Sequence, residues 1–248
     1  MVKYGLIGYP LTHSFSKKYF SEKFEREGLS SHRYDLYELE NLDSFEEVLA
    51  LNPELKGLNV TIPYKEKIIR FLDQLEPACK DIGAVNVIKL SDSGQRIGYN
   101  TDYLGFKTSL VNWLGNKRPK ALVLGTGGAS KAVVRALLDL SIDYCMVSRK
   151  PRELKGYLTY EDLYRQGEYL NEHELIINTT PLGTFPQVGE MPNLPLDQIN
   201  SNHYVYDLVY NPEKTRLMEC SEKRGAAVKN GLEMLHLQAE AAWEIWNA

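Results

Sequence analysis

Residues 119–140, PKALVLGTGGASKAVVRALLDL, decide the fold. Val123 and Leu124 close an apolar run of strand length, and Gly125, Gly127 and Gly128 turn the chain. Ala132, Val133, Ala136, Leu137 and Leu140 then recur at helical spacing. A strand, a glycine turn and a helix in that order is the context a dinucleotide-binding loop needs. In GTGGAS, residues 125–130, Gly125 permits the tight turn. Gly127 and Gly128 keep the backbone bare enough to approach a pyrophosphate, which the N–H groups and positive dipole of the helix start attract. Ser130 stands at the third small position, where Gly or Ala is usual.

Glycines of this kind also serve plain strand-to-helix turns, so the end of the next strand carries the decision. About 20 residues beyond the loop an NAD-binding chain places an acid against the ribose 2′-hydroxyl. Here the chain reads SRKPR, residues 148–152. Arg149, Lys150 and Arg152 suit a 2′-phosphate, which a planar guanidinium grips through two hydrogen bonds. NADP is therefore the expected cofactor.

Working outward, strand-like YCMVSR, ELIINTT and HYVYDLVY continue the alternation, and the first hundred residues show a similar one. KYGLIGYP, SHRYDLYEL and GLNVTIP predict strands. FSKKYFSEKFEREG, LDSFEEVLAL and YKEKIIRFL predict helices, the last with Ile68, Ile69 and Leu72 on its apolar face. GAVNVIKL and QRIGYN, joined by SDSG, predict a hairpin. The expected fold is α/β with two domains, an N-terminal one on a mainly parallel mixed sheet and a Rossmann-like one. The expected bounds are 1–101 and 102–231. The closing helix, with Leu235, Ala239, Ala242 and Trp246 along one stripe, makes residues 232–248 a segment that packs back on the first domain.

The 248 residues carry 29 Lys and Arg against 33 Asp and Glu, a net charge of -4 that gives no general field for nucleic acid. Cys79, Cys145 and Cys220 form no CxxC pair, so neither a disulfide framework nor a zinc knuckle is expected. NEHEL around His173 lacks the HExxH spacing, and no metal site is predicted. The N-terminal apolar stretch is too short for a signal peptide and no run is long enough to span a bilayer, so the expected location is the cytoplasm.

Polar stretches fall at predicted C-terminal strand ends, where open α/β sheets bind ligands. Ser14 or Ser16 can cap the helix that follows them. Asn59 and Thr61, on an otherwise apolar strand, can satisfy neighbouring backbone groups. Lys65 falls in the first turn of a predicted helix, where the macrodipole opposes a cation by roughly 0.3–1 kcal/mol and proton release is eased. Asp102 lies in GYNTDYLGF, at the joint between the halves.

In this order and over nearly the whole chain, HSFS, NVTIPYK, GAVN, NTD, GTGGASKA, INTTPLG and NGLEMLHLQA resemble the shikimate dehydrogenase family. The resemblance implies NADPH-dependent, reversible reduction of 3-dehydroshikimate to shikimate, a step of chorismate and aromatic amino-acid biosynthesis, in an interdomain cleft. It assigns Lys65 and Asp102 as the catalytic pair. Ser14 and Ser16 are implied to bind the substrate carboxylate with Tyr210 nearby, while Thr61, Asn86, Asp102 and Gln238 contact hydroxyls. For the cofactor it implies Gly125, Gly127, Gly128, Ala129 and Ser130 at the pyrophosphate, Arg149 at the 2′-phosphate, and Leu208 and Gly231 near the nicotinamide. Lys17, Ser148 and Leu208 depart from residues frequent in the family, which are Pro, Asn and Met respectively.

The small-molecule substrate is the only partner expected, for a monomer or homodimer. Two rivals are a quinate/shikimate dehydrogenase, which often prefers NAD, and a non-catalytic nucleotide-binding regulator on the same fold. The missing acid counts against the first, and Lys65 together with Asp102 against the second. A hydrolase built on His13 and Ser14 is excluded, since adjacent residues form no triad and no GxSxG elbow occurs.

Overall fold

Strand β1 (Val2–Gly8) runs inward from the N-terminus, and Ser14 starts the first helix, α1 (Phe15–Arg26), by accepting the Lys17 N–H at 3.2 Å. The structure is a computed structural model and describes residues 1–11, 14–152, 154–165 and 168–248. By contacts the chain divides into two units, Met1–Thr101 with Ala239–Ala248, and Asp102–Gln238.

In the first unit β2 (His32–Glu38), α2 (Phe45–Leu51), β3 (Leu55–Val60), β4 (Gln74–Leu75), α3 (Pro77–Ile82), β5 (Val87–Leu90) and β6 (Arg96–Tyr99) follow. The sheet order is β2-β1-β3-β5-β6-β4. Strand β1 is parallel to β2 and β3, whereas β5 is antiparallel to β3 and β6. The C-terminal ends of β1, β3 and β6 therefore share one end of the sheet with the start of β5. One face buries Ile7, Leu58, Val60, Ile68 and Ile88, the other Tyr4, Phe20, Tyr34 and Trp246. Trp246 comes from the last helix: its indole stacks on Tyr4 at 4.8 Å between centroids, and its Nε1–H donates to the Ile88 carbonyl at 3.0 Å.

One expected helix is corrected. YKEKIIRFL forms only a 3₁₀ segment, Lys67–Phe71, preceded by a turn that holds Lys65. The Val85 N–H donates to the Lys65 carbonyl at 2.7 Å and so occupies an acceptor that a regular α-helix would use. The dipole argument for Lys65 falls with the helix.

The second unit begins inside α4 (Thr101–Leu114) and continues through β7 (Ala121–Leu124), α5 (Gly128–Asp139), β8 (Tyr144–Ser148), β9 (Tyr157–Thr159), α6 (Tyr160–Arg165), α7 (Glu168–Glu172) and β10 (Leu175–Asn178). Then come β11 (Tyr204–Asp207), α8 (Arg216–Glu222), β12 (Ala227–Asn230) and α9 (Leu232–Asn247), whose last part belongs to the first unit. All pairings are parallel in the order β12-β11-β10-β7-β8-β9. Chain order reverses between β7 and β10, and such a switch point is where doubly wound sheets take their ligand. Both strands are buried at every residue, as helices on both faces require.

Candidate active site

The polar residues of the first unit gather at the sheet end shared by β1, β3, β5 and β6. Ser14 is the helix cap, and its hydroxyl proton is left to donate elsewhere. Ser16 lies in the first turn of α1, hydrogen-bonded to the Tyr34 hydroxyl. Tyr34 donates to Asn59 Oδ1 at 2.7 Å, and Asn59 Nδ2 reaches the Asn86 carbonyl at 3.4 Å. Asn86 in turn accepts the Thr101 N–H at 2.6 Å and donates to Thr101 Oγ1 at 3.0 Å. Burial drives the Tyr34 phenol far above its ordinary range, partly offset by Ser16, so it stays a neutral donor.

This buried chain fixes Thr101, and Asp102 is the next residue along the backbone. Asp102 is half-buried in the first turn of α4, where the helix dipole favours a carboxylate. Lys65, also half-buried, sits in the turn after β3. Thr61 is half-buried just beyond β3, its N–H donating to the Ile7 carbonyl at 2.9 Å. Thr12 and His13 lie outside the described residues.

In the second unit the glycine loop stands at the switch point. Gly125 has φ +101°, and a Cβ there would come within 2.9 Å of Thr180 and 3.0 Å of Thr179, the residues that follow β10. Gly127 is the N-cap of α5 and, being glycine, gives this helix start no side-chain cap. A Cβ on Gly127 or Gly128 would meet no atom of the described residues within 4 Å beyond its chain neighbours and its own helix, so the loop borders open space at the helix start. Those features fit a pyrophosphate. Ala129 is half-buried in the first turn. Ser130 is buried, and its hydroxyl donates to the Gly127 carbonyl at 2.7 Å, so it shapes the turn.

Beside the loop a cavity of about 300 Å³ is walled by Thr126, Lys131, Met146, Arg152 and Tyr157. Parallel strands normally need a crossover of about a dozen residues or more, usually helical. Segment 149–156 joins β8 to β9 with no helix among its described residues, which leaves this flank of β8 open. Arg152 Nη2 donates to Thr126 Oγ1 at 3.1 Å and its guanidinium lies 5.4 Å from the Tyr157 ring centroid, tying the basic segment to the glycine loop. Arg149 is exposed and close enough to Tyr160 for its charge to oppose the rise that burial causes in that phenol. The basic character and the open helix start together fit a 2′-phosphorylated dinucleotide.

The remaining expected residues fall as follows. A Cβ at Gly231 would stand 2.1 Å from the Leu208 carbonyl oxygen, so backbone approach dictates that glycine, and Leu208 is half-buried beside it. Tyr210 is 39% exposed beyond β11. Gln238 is buried on α9, its Nε2 donating to the Leu235 carbonyl at 3.1 Å. Three polar residues, one in the second unit and two in the first, escaped the sequence reading of roles. Fully buried Asp207 accepts from Asn178 Nδ2 at 2.9 Å, Thr215 Oγ1 at 2.7 Å and the Val209 N–H at 3.1 Å, while Asn178 Oδ1 accepts from Thr180. Burial still pushes the Asp207 carboxyl above its usual range, against those hydrogen bonds. Tyr34 and Thr101 were missed too, because an aromatic on a strand reads as core and a Thr before a helix reads as a cap.

The order of the second sheet and the glycine turn at its reversal define a Rossmann-type dinucleotide-binding unit, joined in one chain to an α/β unit with a polar sheet end. A family model described as the shikimate dehydrogenase substrate binding domain matches residues 6–88. The shikimate dehydrogenase (NADP(+)) of Clostridium beijerinckii is 41% identical over 252 residues, 98% of this chain and 91% of that one. Among solved structures, a chorismate mutase/shikimate 5-dehydrogenase fusion protein from Clostridium acetobutylicum superposes with a TM-score of 0.88 at 33% identity, covering 100% of this chain and 91% of its own. The Thermus thermophilus shikimate 5-dehydrogenase, solved with NADP(H) and shikimate, gives 0.86 at 29% identity over 99% and 93%. The chain belongs to the shikimate dehydrogenase family. No helix among the described residues is long and apolar enough to cross a membrane.

Proposed function

We propose that the protein catalyses the NADPH-dependent, reversible reduction of 3-dehydroshikimate to shikimate. The observation that carries this reading is the joint presence of a basic segment where an NAD-binding chain keeps an acid, and of Lys65 and Asp102 in a chain 41% identical to an NADP-dependent shikimate dehydrogenase. NADPH, when bound, supplies hydride to the substrate carbonyl carbon. Gly127, Gly128 and Ala129 would offer its pyrophosphate their backbone N–H groups, Gly125 and Ser130 would shape the loop around it, since their own N–H groups donate to the Val147 and Gly127 carbonyls, and Arg149 would bind its 2′-phosphate.

On the substrate, Ser14 and Ser16 hold the carboxylate with Tyr210 close by, and Thr61, Asn86 and Gln238 take the ring hydroxyls. Ser14 suits that task because its cap bond uses an acceptor lone pair and leaves its proton. Reduction of a carbonyl builds negative charge on its oxygen. The Lys65 ammonium stabilises that charge and delivers the proton, and in the reverse direction the amine takes it back. Asp102 orients the ammonium and accepts from a substrate hydroxyl. We place the enzyme in the cytoplasm, a reducing compartment that suits three free cysteines.

Lys65→Ala tests this assignment. Turnover should fall by about 10²–10⁴, the usual share of a general acid, while shikimate still binds by calorimetry. Wild-type turnover in the variant would remove Lys65 from the chemistry.

A further inference from the structure

Strands β10 and β11 lie side by side in the second sheet and end level with each other, Asn178 opposite Asp207. Each end residue turns its own chain. Asn178 Oδ1 accepts the Thr180 N–H at 3.0 Å and Asp207 Oδ1 the Val209 N–H at 3.1 Å, in both cases from two residues further on. The two side chains are also joined, Asn178 Nδ2 donating to Asp207 Oδ1 at 2.9 Å. We propose, on the NADP-dependent reading above, that Asp207 is a positioning residue for hydride transfer: it holds turn 208–210 ready-shaped as the surface on which the nicotinamide half of the dinucleotide packs.

The direction of the dinucleotide follows from the order of the sheet. Its pyrophosphate belongs at the glycine loop after β7, and the basic segment after β8 marks the side of the 2′-phosphate, which the adenosine half carries. The nicotinamide half therefore runs the other way, over the ends of β10 and β11, the next strands in the order. Turn 208–210 stands there. Its backbone is tied from both flanks: the Leu208 N–H donates to the Asn178 carbonyl at 3.0 Å, and the Val209 carbonyl accepts the Gly231 N–H at 3.2 Å from just beyond β12. Val209 is buried, whereas Leu208 and Tyr210 on either side of it keep accessible surface. A shift of the turn would carry both of them with it.

A strand end needs no buried charge. Asp207 is 0% exposed, and its hydrogen-bond donors among the described residues, Asn178, Val209 and Thr215, are all neutral, so the carboxylate is desolvated without an ion pair. What it gains over an apolar residue is reach. Oδ1 holds the end of β10 and the turn, while Oδ2 accepts from Thr215 Oγ1 at 2.7 Å, and Thr215 is the N-cap of α8. The loop that carries Leu208 and Tyr210 thus leaves Asp207 and returns to it. A residue serving only to cap α8 would need Oδ2 alone; the two bonds of Oδ1 act on the turn.

Amide hydrogen exchange and steady-state kinetics test the role together. In the wild type the Val209 amide should exchange slowly, and equally so with and without NADP, because Asp207 and not the cofactor orders the turn. Asp207→Ala should speed that exchange and lower kcat for shikimate oxidation by about 10²-fold, the cost of roughly 1 Å of misplacement. KM for NADP should stay nearly constant, since the adenosine half keeps its contacts. Asp207→Asn should retain slow exchange and most of the rate: its amide oxygen can accept from both Asn178 and Val209, and its NH₂ can donate to the lone pair of Thr215 Oγ1 that the Met218 N–H leaves open. Should Asp207→Ala fail to fold, the wild-type exchange comparison and the Asn variant carry the test. A Val209 amide protected only when NADP is bound, an Asn variant slowed by about 10²-fold, or an Ala variant with wild-type kcat would overturn the proposal and leave the proposed function standing. A wild type that oxidises no shikimate would overturn both.

Discussion

Arg149 and Arg152 both follow β8, yet they are held differently. Arg152 is engaged by Thr126 and Tyr157, whereas Arg149 projects from the surface where a phosphate can approach it. A guanidinium–phosphate contact is worth about 2 kcal/mol, or roughly a 30-fold change in affinity. Arg149→Ala should raise KM for NADPH by about that factor and leave KM for NADH nearly unchanged. Equal effects on both would remove Arg149 from the phosphate. At this scale Gly125, Gly127 and the basic segment were legible because strand, turn and helix force a narrow choice of residues. The buried relay from Ser16 to Thr101 was not, since its members meet only once β1, β2, β3 and β5 are paired.

Among the elements, α1 and the β7–α5 unit were legible for a physical reason: each carries its own cap or turn and a full apolar face. Short elements depend on their neighbours. Strand β4 (Gln74–Leu75) exists because β6 pairs with it, and α3 opens with Pro77 at its N-terminus over a stretch too brief to show periodicity. The turn at Lys65 went unread because Val85, twenty residues on, competes for its carbonyl. The return of α9 to the first unit rests on Trp246, which is 5% exposed and bonded to Ile88. Trp246→Ala should therefore destabilise the protein by about 3–5 kcal/mol, read as a lower urea midpoint. An unchanged midpoint would mean that the indole anchors nothing.

For the whole molecule, acid should weaken the link between α1 and α9. Lys23, with its side chain 7% exposed, bonds Glu240 at 2.8 Å and Glu27 at 2.9 Å, and the Tyr19 hydroxyl also donates to Glu240. Burial pushes the Glu240 carboxyl up, but Lys23 and Tyr19 outweigh it and hold the group below its usual range. A depressed folded-state pKa adds stability above the unfolded value of about 4.3, and that stability is lost as pH falls through the folded pKa. Glu240→Gln should cost about 1 kcal/mol at neutral pH, a modest figure because the carboxylate is partly solvated, and the gap to wild type should close in acid. A constant gap across pH would assign the effect to packing.

Initial rates of the purified wild type, with shikimate or quinate as the alcohol and NADP or NAD as the acceptor, test the central claim most directly. The account predicts the highest kcat/KM for shikimate with NADP, and NADPH formed in proportion to shikimate consumed. No oxidation of shikimate with either acceptor, or a clear preference for quinate with NAD, would contradict it.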